Sequence, residues 1–155
     1  MRKLFLLFVI LVAFIFVIGC DKDNPVNEDE HSDHAEAVGL VITQNDSEIV
    51  RYEEGVVTGA IAVQAGEETG LLFVEFIAED GDLFSPDSDH HSLDWTVADQ
   101  TVAQATLSET QDNDADAWKF SVAGLKAGET TIEIKILHED HSDFVSLPIG
   151  IQVAE

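Results

Sequence analysis

From residue 38 onward the chain changes from apolar to polar and back with a period of two, interrupted every few residues by glycine and acidic turn clusters. The run "TTIEIKIL" (130–137) alternates strictly, which is the pattern of a strand with one face buried and one face wet. Read the same way, strands are predicted at 38–43, 48–52, 56–63, 71–78, 93–97, 102–107, 117–122, 130–137 and 144–153. The connections "QNDS", "EEG", "AGEETG", "EDGD" and "AGLKAGE" carry the Gly, Asn and Asp that tight turns require. No stretch of useful length has helical periodicity. The prediction is an all-β antiparallel sandwich over 38–155.

The first twenty residues, "MRKLFLLFVILVAFIFVIGC", follow other rules. Arg2 and Lys3 precede an uninterrupted apolar run from Leu4 to Ile18, of the length of a secretory signal. The run ends on "VIGC", with small Gly19 immediately before Cys20, the single cysteine of the chain. This ending resembles a bacterial lipobox, which implies cleavage after residue 19 and acylation of the Cys20 thiol. Residues 20–37 then form an acidic tether ("DKDNPVNEDEHSDHAE") with almost nothing apolar to bury. The expected location is the bacterial cell envelope, lipid-anchored, on the outer membrane or cell surface rather than the inner membrane.

Charge narrows the partners. The whole chain carries −24, and loss of residues 1–19 leaves five Lys and Arg against 31 Asp and Glu, a net −26. Such a field repels nucleic acid and anionic lipid and gathers cations. Oligomeric state is left open by these observations.

Two segments resemble group-2 bacterial immunoglobulin-like domains. "LDWTVADQTVAQAT" (93–106) is similar to the strand-C region of that family, and "FSVAGLKAGETTIEIKI" (120–136) to its glycine-punctuated approach to strand F. The resemblance implies an immunoglobulin-like β-sandwich with Trp95 as core tryptophan. It assigns Val102, Ala103, Gly124, Gly128, Ile132 and Ile134 to scaffold positions. It covers roughly 56–153 and departs from the family at the polar insert 108–118 and at an extra hairpin over 38–52. Such a resemblance carries a fold and not an activity.

Candidate chemistry lies in the histidines. All six fall in three short pairs: His31 and His34 in the tether, His90 and His91 in "SPDSDHHSLD", His138 and His141 in "HEDH". If successive strands alternate direction, the loop at 79–92, the tip at 138–141 and the start of the first strand share one pole, and so does the insert. The three pairs are therefore expected to converge, with Asp89, Glu139 and Asp143 as supporting carboxylates. Imidazole with some carboxylate is the ligand set of Zn²⁺, and also of Cu²⁺ or Ni²⁺. Ca²⁺ in the acidic loops is a weaker expectation: "DNDAD" opens like an EF-hand, but Ala117 and Ala123 stand where its glycine and glutamate belong. No nucleophile elbow, phosphate loop or Cys–His pair appears, so the expectation is a non-enzyme. It would be a tethered lipoprotein that captures, buffers or delivers zinc, with a membrane metal transporter as partner. The alternative is a structural or adhesion module whose loops bind protein or glycan and whose histidines are incidental.

Overall fold

Twelve strands are divided between two sheets in the computed structural model, which describes residues 35–108 and 114–155. All of these belong to one compact unit, Ser32–Glu155. The expected signal segment, Cys20, His31 and His34 lie outside the described residues. Among the described residues there is no α-helix, and no helix long and apolar enough to cross a membrane.

The first sheet has the order β3-β2-β1-β5-β9-β8, with the short β6 (Leu83–Phe84) also on β5. Its members are β1 (Gly39–Gln44), β2 (Ser47–Glu53), β3 (Val56–Gly59), β5 (Leu72–Ile77), β8 (Ala103–Leu107) and β9 (Lys119–Gly124). The second sheet is built on the long β10 (Gly128–His138). One edge of β10 carries β7 (His91–Val97). The other is shared by β12 (Ile149–Ala154) along its first half and β11 (His141–Val145) along its second. β4 (Ile61–Gln64) closes this sheet, parallel to β12. The result is an immunoglobulin-like β-sandwich.

Two predicted strands are each two strands, for identifiable reasons. The run 56–63 breaks at Gly59, which has φ of +80°, and a Cβ there would lie 2.0 Å from the Ile49 carbonyl oxygen. The chain kinks at this glycine, leaves the first sheet as β3 and enters the second as β4. The run 144–153 breaks at Ser146–Leu147–Pro148, where proline offers no N–H for a ladder. Ser146 bridges the gap: its amide donates to the Ile134 carbonyl at 2.8 Å, and its hydroxyl accepts from the Ile134 amide at 2.9 Å.

The core also differs from the expectation in its tryptophan. Trp95 lies inward but at the margin, half-buried and stacked on Phe120 at 5.7 Å. The fully buried tryptophan is Trp118, edge-on to Phe76 at 5.3 Å. It sits at the end of a 3₁₀ turn (Asp114–Trp118) rather than in a strand, because its indole N–H reaches the Pro86 carbonyl at 3.0 Å. A buried indole needs such an acceptor. That bond ties the insert to the loop before β7. Of the assigned scaffold positions, Ala103, Ile132 and Ile134 are fully buried and Val102 is half-buried. Gly124 admits no Cβ, which would meet the Gln64 carbonyl at 2.5 Å.

Candidate metal centre

The core-facing side of β10 reads Thr130, Ile132, Ile134, Ile136, His138, all buried. His138 therefore continues the apolar stripe at the point where the core runs out. On one side its cross-strand partner is His91, the first residue of β7. On the other it is His141, across the two-residue turn Glu139–Asp140. A spacing of three places two strand residues on opposite faces, but across a two-residue turn they become directly opposed and share a face. The three imidazoles thus form one row across three strands, with ring centroids 4.9 Å apart for His91–His138 and 5.2 Å for His138–His141.

A bulge brings the carboxylate. Ile136 pairs with Phe144 but Leu137 pairs with Ser142, so Asp143 is the extra residue of β11. Bulges re-aim a side chain, and here the Asp143 carboxylate turns beneath the row, only 2% exposed. Burying a charge is costly unless it is paired. Asp143 Oδ2 accepts the Ala35 amide at 2.9 Å, and Oδ1 stands 3.1 Å from His141 Nε2. The same Oδ2 is 3.5 Å from His91 Nε2 and 3.8 Å from His138 Nδ1.

Those two spacings are chemically informative. They are long for a hydrogen bond. A tetrahedral ion with bonds of about 2.1 Å sets its donors about 3.4 Å apart, close to what is found here. His91, His138 and Asp143 each offer a donor atom, all within 4.8 Å of one another, and the group can hold a metal ion. His141 is half-exposed at the mouth, where it either orients Asp143 or turns to supply a further nitrogen.

The adjacent pair splits. His91 is buried in the row, whereas His90 is 64% exposed and turned onto Asp87, with its Nδ1 3.0 Å from Asp87 Oδ1. That bond, helped by the backbone amide of His90 and opposed by desolvation, holds the Asp87 carboxyl below its ordinary range. Asp89 is exposed, and so is Glu139, which occupies the left-handed turn position with φ of +52°. The carboxylates in contact with rings of the row are Asp143, Asp87 on His91 and the exposed Asp140, whose Oδ1 is 3.7 Å from His141 Nδ1. Asp87 is four residues before His91 on a tight turn, a spacing that marks one helical turn and could have singled it out. The bulge at Asp143 has no comparable sequence mark.

A scan against protein-family models found no match, nor did a search of curated proteins. Among solved structures the chain is similar to domains 4 and 5 of the S-layer protein SbsC, at 18% identity over 63% of this chain and TM-score 0.44. It is also similar to domains 5–6 of SbsC, at 17% identity over 63% of this chain and TM-score 0.42. The match spans 49% and 40% of those two structures, respectively.

Proposed function

We propose that this protein is an envelope lipoprotein, acylated at Cys20, that captures a transition-metal ion, zinc first. The ion would sit between His91, His138 and Asp143. The observation that carries this reading is the spacing around Asp143 Oδ2: two buried imidazole nitrogens at 3.5 and 3.8 Å, suited to sharing an ion. Nitrogen and carboxylate donors favour zinc among abundant ions and also accept Cu²⁺ and Ni²⁺. His141 at the half-open mouth gives an exchange route, which suits buffering or hand-over to a membrane transporter rather than permanent structural binding. The net charge of −26 left after residue 19, five Lys and Arg against 31 Asp and Glu, gathers cations around the protein. We read the protein as a carrier and not an enzyme, because the polar groups of the site are used as ligands or as supports of ligands.

The test is calorimetric titration of Zn²⁺ into the chain that begins after Cys20. The comparison proteins are a variant with His138→Ala and His141→Ala together, and a variant with His90→Ala alone. Near-stoichiometric binding that the double change abolishes and the His90 change leaves intact supports the reading. Binding indifferent to the double change, or none in the parent, rejects it.

A further inference from the structure

His91 has two ring nitrogens, and the fold gives them different tasks. Nδ1 lies 3.2 Å from the Asp87 carbonyl oxygen and 3.3 Å from Asp87 Oδ2. Both partners can only accept, so Nδ1 must carry a proton to satisfy them. Nε2 points the other way, to Asp143. The geometry points to Asp87 as a positioning residue: we infer that it fixes the His91 ring in the Nδ1–H tautomer, so that Nε2 presents its lone pair to the metal. This deepens the proposed zinc reading and rests on it for the metal.

Asp87 is built for this task by its turn. Its Oδ1 accepts the His90 amide at 3.1 Å, and its carbonyl accepts the His91 amide at 3.2 Å, closing one tight turn over residues 87–91. The turn is fixed from behind as well, since Trp118 binds the carbonyl of Pro86, the residue just before Asp87. A carboxylate at this position thus does two things at once. It caps the turn that delivers His91 into the start of β7, and it accepts the ring proton on the side away from the metal. Ligating histidines are commonly oriented through the second nitrogen in this way. The exposed His90 ring also meets this Oδ1, at 3.0 Å on the solvent side.

The experiment is ¹⁵N NMR of the imidazole rings in the metal-free protein at pH 8, repeated after addition of Zn²⁺, on the parent chain, Asp87→Asn and Asp87→Ala. The parent is expected to show His91 as the Nδ1–H tautomer before zinc, and zinc is expected to shift Nε2 while Nδ1 keeps its proton. Asp87→Asn retains an oxygen that can cap the turn and is expected to keep the tautomer. Asp87→Ala is expected to lose the uniform tautomer and to bind zinc about tenfold to hundredfold more weakly. A His91 ring that is Nε2–H in the metal-free parent overturns the inference whether or not zinc binds. If the parent shows the Nδ1–H tautomer and zinc still leaves Nε2 unmoved, the metal reading fails while the positioning role of Asp87 stands. An alanine variant that keeps both tautomer and affinity also overturns the inference. Amide spectra of each variant establish that it is folded.

Discussion

Replacing Asp143 with asparagine removes one negative charge and almost no volume, so it isolates what the carboxylate does for a cation. In the metal-free protein the asparagine oxygen can still accept the Ala35 amide, which Asp143 Oδ2 accepts at 2.9 Å. The buried charge disappears with its desolvation cost, and the charged contact to His141 at 3.1 Å weakens. Interactions with a charged group contribute about 1.5–3 kcal/mol, and the relieved desolvation is of similar size, so metal-free stability should shift by no more than about 1–2 kcal/mol. Zinc changes the comparison. At a free concentration of about 100 times Kd the parent gains about 2.7 kcal/mol, which for a domain of this size raises Tm by roughly 10 °C. If the loss of this ligand weakens binding about a hundredfold, the same zinc concentration equals the variant's Kd and the gain falls to about 0.4 kcal/mol, or roughly 2 °C. Differential scanning calorimetry of both proteins, with and without zinc, reads the difference directly. An Asp143→Asn variant that gains as much Tm from zinc as the parent would refute the assignment of the carboxylate.

The other expectations probe the fold and the split of the histidine pair. Trp118→Ala empties the space beside Phe76 and leaves the Pro86 carbonyl without its donor. It should cost about 3–5 kcal/mol, measurable by urea unfolding, and a loss below 1 kcal/mol would place the core elsewhere. Gly59→Ala meets the Ile49 carbonyl at 2.0 Å in a left-handed backbone. It should destabilise by about 2 kcal/mol or more, again by urea unfolding, whereas Gly55→Ala meets nothing within 4 Å and should cost less. His91→Ala should abolish zinc binding and His90→Ala should leave it within about threefold, because only His91 faces Asp143. Zinc affinity should fall steadily on acidification from pH 7.5 to 5, since imidazole must be neutral to ligate. A flat profile would show that imidazoles are not the ligands.

The fold was legible where one physical signal dominated. Strict alternation in "TTIEIKIL" marked β10, and the turn residues Asn45, Asp46, Glu54 and Gly55, all with positive φ, marked the two hairpins of β1, β2 and β3. Periodicity could not show that one run serves two sheets, since the break at Gly59 depends on an approach by Ile49 from another strand. Nor could it rank the tryptophans. Trp95 sits in an alternating run and Trp118 ends a polar insert, yet Trp118 is the fully buried one, with its indole N–H on the Pro86 carbonyl. For the site, strand direction alone brought His91, His138 and His141 to one pole. The chain pattern placed His91 in a loop, but β7 begins two residues earlier than the run "LDWTV", which makes His91 a strand residue paired with His138. Asp143 became the central carboxylate through a bulge, a register event that leaves no trace in composition.

The most direct measurement is anomalous diffraction at the zinc absorption edge from crystals grown with one equivalent of Zn²⁺. A peak is expected about 2.0–2.2 Å from His91 Nε2, His138 Nδ1 and Asp143 Oδ2, at the end of the β7–β10–β11 row. A peak among surface carboxylates instead, or no peak with the three side chains in place, would contradict it.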